Sequence, residues 1–176
     1  MRGVTRFAFL PASVFLCAAT LCLTGPERPA SCARNGRNTE RNPSQASGTS
    51  DGRAYHHDPP AKPLPKTMDP ALFLGDRSAF VAYSLASRIR DLLYQEPCFC
   101  ACDKFAGHES LLDCFVGKHG KVCNGCKSEA IFCFIEHEKG KTAAEIRKKM
   151  NAGEAWKVNI EEQTEQFFPL LQLGKP

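Results

Sequence analysis

Between Arg77 and Gln95 the apolar residues fall on one arc of a helical wheel: Val81, Ala82, Leu85, Ala86, Ile89, Leu92 and Leu93. Ser84, Ser87, Arg88, Arg90, Asp91 and Gln95 occupy the rest, a pattern that predicts an amphipathic helix with one buried face. Asp76 stands where a cap belongs, and Pro97 ends the helix because the residue before a proline disfavours helical backbone. Just upstream, Asp69-Pro70 has the form of a cap and a first helical residue, for a short turn that stops at Gly75. A second helix is expected over about 108–117, burying Leu111, Leu112, Phe115 and Val116, with Cys114 at the edge of that arc. A third runs from about Asn124 to Lys139. Cys126, Ala130, Cys133 and His137 share one stripe of it, and Ile131, Phe132 and Ile135 cover much of the remainder, so this helix should be central. The fourth opens on Thr142-Ala-Ala-Glu145, a capping-box pattern, and carries the narrow apolar stripe Ala143, Ile146 and Met150. Trp156 and the group Phe167, Phe168, Leu170, Leu171 and Leu173 either dock on the bundle or form a loose tail. The expected fold class is therefore all-α: a small four-helix, cysteine-rich domain over 67–153, followed by a C-terminal tail over 154–176.

The pattern changes upstream of this domain. From 34 to 66 the chain is rich in Asn, Ser, Gly, Thr and Arg and then in Pro, without apolar periodicity, and reads as a disordered tether ending in a stiff extended spacer. His56 and His57 read as solvated residues of that tether. Residues 1–33 read as an export signal: Arg2 and Arg6 precede an apolar run, Phe7 to Leu23, and small residues follow. A transmembrane anchor is the competing reading, but the run is short for a bilayer and interrupted by Pro11 and Thr20. Cleavage after Ala33 and lipidation at Cys32 both fit the residues there, although Pro29 stands where a lipoprotein signal prefers Leu. Cys17 and Cys22 read as apolar filler. The expected location is the periplasm or cell envelope, with membrane contact only through the signal or a lipid anchor.

The chain has 176 residues and a formal charge of +4. Its Lys and Arg residues are dispersed and not interleaved with aromatics, which argues against nucleic acid as a partner. The chemistry lies in the cysteines. Of the ten in the chain, Cys98, Cys100, Cys102, Cys114, Cys123, Cys126 and Cys133 crowd into one stretch that also holds His108 and His119. In an extended C-x-C-x-C, alternation would place Cys98, Cys100 and Cys102 on one side, with Phe99 and Ala101 on the other. Cys123 and Cys126 form a C-x-x-C clamp. Thiolates suit Cu(I) or Zn(II), and the candidate ligands are Cys98, Cys100, Cys102, Cys114, Cys123 and Cys126 with His108 and His119. That number exceeds the needs of one zinc, which favours Cu(I) or a small thiolate cluster. Cys126 also falls in the first turn of a helix, where the dipole favours thiolate.

Other readings stay open. In an oxidising compartment Cys98, Cys100 and Cys102 could be stapled to Cys114, Cys123 and Cys126 as disulfides. Cys123-Asn-Gly-Cys126 before a helix also suits thiol–disulfide exchange with a redox partner, although no βαβ pattern surrounds it. Covalent haem attachment needs C-x-x-C-H, and Lys127 holds the histidine position. Cys133 reads as core and His137 as a complement to a helix C-terminus. Asp113 and Glu129 could support ligating histidines, but such carboxylates are more often solvated or paired with a nearby Lys. No Ser/His/Asp arrangement or phosphate loop is present, so an enzyme is not expected. The expected partners are a metal ion and an envelope metalloprotein or redox partner.

Pro97-Cys-Phe-Cys-Ala-Cys102, Gly107-His-Glu-Ser-Leu-Leu-Asp-Cys-Phe115, His119-Gly120 and Cys123-x-x-Cys126 with Glu129-Ala130 occur in this order. Together they resemble the bacterial PCYCGC-motif family, over about Leu64 to Met150. The resemblance implies an exported protein, often a lipoprotein, and implies no reaction. Two positions depart from the motif: Phe99 replaces the family Tyr, removing a hydroxyl donor, and Ala101 replaces the family Gly, which should exclude any backbone that needs glycine.

Overall fold

The computed structural model describes residues 47–50 and 52–174. The expected signal over 1–33, with Cys17, Cys22 and Cys32, lies outside the described residues, as does the start of the tether. The described chain is mostly helical. An antiparallel hairpin, β1 (Ser47–Ser50) and β2 (Arg53–His56), comes first. A 3-10 turn (Pro70–Phe73) follows, then α1 (Arg77–Arg88), α2 (Arg90–Tyr94), α3 (Cys102–Phe105), α4 (Asp113–Val116) and α5 (His119–Val122). Next come α6 (Asn124–Glu138), α7 (Ala143–Asn151), a 3-10 turn (Glu154–Lys157) and α8 (Ile160–Gln172).

The expected central helix is α6. It buries residues around most of its circumference, from Cys126 to Phe134 and again at Glu136, and packs on α1, α7 and α8. The local end signals operate as the sequence suggests. Asp69 and Asp76 accept hydrogen bonds from the backbone N–H groups of Ala71 and Ala79, and Thr142 and Glu145 complete their reciprocal box. Tyr83, fully buried on α1, donates to the Gly117 carbonyl at 2.6 Å, and its ring meets Phe73 and Phe115. Burial pushes its hydroxyl up to about 12.

Three expectations need correction, and one open alternative is decided. The helix expected over 77–95 breaks at Ile89 (φ −121°, ψ 32°) into α1 and α2. Second, only Asp113–Val116 of the expected 108–117 helix is helical. The N–H groups of Leu111 and Leu112 donate instead to the carbonyls of Glu96 and Leu93, and Asp113 takes the N–H groups of Glu109 and Ser110. Third, the stretch expected to be a tether contains the hairpin. Gly52, at φ 79°, serves its turn. Tyr55 and His56 are buried: Arg147 lies 4.1 Å from the Tyr55 ring centre, and His56 stacks on Tyr94 at 3.8 Å. His56 is therefore no solvated residue. The C-terminal residues, read as either docked or loose, dock, and do so as a further helix, α8. Asn159 caps it, Phe167 and Phe168 pack on Phe134 and Phe80, and Arg77 pairs with Glu165 at 2.8 Å.

Candidate metal centre

The C-x-C-x-C segment is not an extended strand. Its backbone turns at Phe99 and Cys100, and Cys102 already opens α3. Between them Ala101 takes the left-handed conformation, φ 59° and ψ 26°. This is the geometry that alanine was expected to exclude. It is adopted at a cost of about 1–2 kcal/mol. The neighbouring contacts explain why the turn holds: the Phe99 N–H donates to Glu129 Oε1 at 3.2 Å, and the Arg53 guanidinium lies 4.5 Å over the Phe99 ring. The turn sends the three sulfurs to two places. Cys98 and Cys102 point into the protein with their Sγ atoms 3.4 Å apart, while Cys100 faces Cys123 at 3.2 Å.

The inner sulfurs come from four elements. Cys98 follows α2, Cys102 begins α3, Cys114 lies on α4 and Cys126 in the first turn of α6. None is more than 3% exposed. Their four sulfurs lie within 4.8 Å of one another. A zinc–sulfur bond of about 2.3 Å requires tetrahedral sulfur edges of about 3.8 Å. From Cys98 the measured edges are 3.4 Å to Cys102, 3.6 Å to Cys114 and 3.8 Å to Cys126. The donors therefore already stand close to the spacing that a thiolate-bound ion needs.

A second set, Cys100, Cys123 and Cys126, meets the same limit at the half-buried edge. Cys123 is the N-cap of α6 and its Sγ accepts the Cys126 N–H at 3.4 Å, so the clamp and the helix start are one structure. Gly125 lies between the clamp cysteines. A β-carbon there would overlap Cys100 Sγ outright and stand 2.9 Å from Cη2 of Trp156. A third set joins Cys102 to His108 and His119, with His119 Nε2 3.2 Å from Cys102 Sγ and His108 Nδ1 3.2 Å from Cys114 Sγ. Here Gly120 matters through close approach, because its β-carbon would stand 2.8 Å from the Phe115 ring.

All eight residues expected at the site thus converge. Cys133 does not join them: it is buried against Met150 Sδ at 3.5 Å, and burial raises its thiol. His137 is exposed in the last turn of α6. Asp113 caps backbone, and Glu129 supports no histidine. Glu129 instead forms a set with Cys98 and Cys100, fully buried, with Oε2 lacking a hydrogen-bond partner among the described residues. Its sequence signal was its position three residues after Cys126, on the same side of a helix.

The seven cysteines of 98–133 are free thiols. Even the 3.2 Å approach of Cys100 and Cys123 is far beyond a disulfide bond of about 2.0 Å. Hydrogen bonds from Cys100, Cys114 and Cys126 hold Cys98 well below the ordinary thiol range. Burial pushes Cys102 up to about 12, with the neighbouring Cys98 adding to it. Burial, and then the charge on Cys98, also raises Glu129 well above a normal carboxyl. Binding of a cation to these thiols would displace their protons.

The profile of a family described as proteins of unknown function with a PCYCGC motif matches residues 28–166. The chain belongs to that family. The match extends beyond the motif cysteines to the hairpin and to part of α8. No curated protein and no solved structure matches the chain.

Proposed function

We propose that this protein is an exported soft-metal-binding protein of the cell envelope, with Cu(I) as the first ion and Zn(II) as the second. The observation that carries this reading is the convergence of Cys98, Cys102, Cys114 and Cys126, four buried sulfurs from four separate elements. Burying that many ionisable thiols with no ion to share them serves no packing need that alanine or valine would not meet. Soft sulfur favours Cu(I), and sulfurs common to several ligand sets suit an ion content above one. The protein binds and hands on its ion, and it is not an enzyme. Its partners are the ion and an envelope metalloprotein or redox protein. Membrane attachment runs through the N-terminal signal or a lipid on Cys32; among the described residues no helix is long and apolar enough to cross a membrane.

The test is intact mass of the mature protein, purified without added reductant or chelator. Native and denaturing spectra are compared. Extra native mass corresponding to Cu or Zn, with the core thiols reduced, is the expected result. A metal-free protein six hydrogens light, that is, with three disulfides, would overturn the proposal. The denaturing spectrum also reports the cleavage point and any lipid on Cys32.

A further inference from the structure

The ligand sets are not equivalent in depth. Cys114 and Cys126 are fully buried, and Cys98 and Cys102 nearly so, whereas Cys100 and Cys123 are partly exposed. The two sets meet at one atom, Cys126 Sγ, which lies 3.8 Å from Cys98 Sγ on the inner side and 3.9 Å from Cys100 Sγ on the outer side. The inner set has four sulfurs and can close a tetrahedron; the outer has three and leaves a position open toward solvent.

Resting on the metal-binding reading above, we propose that the centre holds at least two soft ions bridged by Cys126: a retained ion in the inner set and an exchangeable ion in the outer set. The outer set is the transfer port. An incoming ligand from solvent or from a partner can occupy the open position on the outer ion and draw it off without unfolding anything. The inner ion is less accessible, because its four sulfurs belong to a core that includes Leu93 of α2, Phe115 of α4 and Ala130 of α6, all at 0% exposure. Glu129, with one oxygen on Phe99 N–H and the other unpartnered, backs the Cys98–Cys100 side of the junction. The mechanism requires no redox step: each ion replaces thiol protons, which leave to water.

The experiment loads reduced full-length mature protein with Cu(I) under anaerobic conditions and reads native mass before and during challenge with a Cu(I)-specific chelator. The expected outcome is two or more ions and a biphasic loss, with the slow phase at least tenfold slower than the fast one. Cys123→Ser, at the partly exposed edge, should remove the fast phase and leave the slow phase intact. Cys114→Ser should lose the slow phase; since Cys114 is fully buried, its far-ultraviolet circular dichroism is checked first, and the Cys123→Ser result stands whatever that shows. A single bound ion, a single rate of loss, or an unchanged fast phase in Cys123→Ser would overturn the two-ion arrangement while leaving metal binding in place. A wild-type protein that takes up no ion would overturn both.

Discussion

Gly125→Ala isolates the geometry of the outer sulfurs without removing one. Gly125 is the second residue of α6, so alanine there is favoured by helix propensity, by less than the full interior value of about 1 kcal/mol. Packing opposes it. The added β-carbon overlaps Cys100 Sγ and stands 2.9 and 3.0 Å from two carbons of the Trp156 ring, where ordinary contacts are about 3.5–4.0 Å. Trp156 is half-exposed and can retreat; Cys100 lies in a turn tied to Glu129 through the Phe99 N–H. Moving its sulfur pulls it off Cys123, now 3.2 Å away, and off Cys126, now 3.9 Å away. Overpacking of this kind costs about 1–3 kcal/mol, which corresponds to about 5- to 160-fold weaker binding of an ion that uses Cys100. The assay is competitive Cu(I) titration of the wild type, Gly125→Ala and Gly75→Ala, the last a control because nothing lies within 4 Å of its would-be β-carbon. Trp156, the single tryptophan, reports the displacement through its emission. Affinity within twofold of wild type, with unchanged tryptophan emission, would refute the argument that Gly125 is glycine to admit Cys100.

Three further outcomes follow from the same contacts. Ala101→Gly relieves a left-handed alanine; after the entropy that glycine adds to the unfolded chain, it should stabilise the protein by up to about 1 kcal/mol, read as a rise in Tm with unchanged metal content. Tyr83→Phe leaves the Gly117 carbonyl without its 2.6 Å donor and should cost about 0.5–1.5 kcal/mol in denaturant titration. Burial lowers His56 below its ordinary 6.5, with Glu109 and Asp113 pulling it back up. The unfolded chain therefore takes the proton first, and the stability from neutral His56 is present above 6.5 and lost as pH falls through the lowered folded value. Wild-type Tm should fall relative to His56→Phe over that window; parallel curves would show that His56 does not hold the hairpin.

What could be read from the sequence was whatever a short window controls. The caps at Asp69, Asp76 and Thr142 and the all-round apolar character of α6 need no tertiary knowledge, and they stand in the structure as expected. That the clustered cysteines would gather in space with His108 and His119 was legible too, from their density in one short stretch. The errors arise where distant backbone groups compete. Leu111 and Leu112 abandon helix for the carbonyls of Glu96 and Leu93, where α2 ends before Pro97. The alternation of Cys98, Cys100 and Cys102 resembles a strand, but Glu129, thirty residues from Phe99 in sequence, fixes a turn instead. Two misses had a signal. Asp51-Gly52 is a hairpin dipeptide between short runs. Ile160, Thr164, Phe167, Phe168 and Leu171 follow helical spacing behind an Asn159 cap.

Charge explains why two ligand sets should share a sulfur. Separate sets of four and three thiolates would place seven negative charges in a protein interior, and each buried charge without a partner is expensive. Sharing Cys126 reduces the seven to six and lets each ion help neutralise the other's ligands. Glu129 stands at the same junction. It accepts the Phe99 N–H at 3.2 Å and so holds the turn that divides the cysteines between the two sets. The buried acid, the left-handed alanine and the glycine at the start of α6 therefore bear on one geometric requirement: Cys100 must face outward while Cys98 and Cys102, two residues to either side, face in.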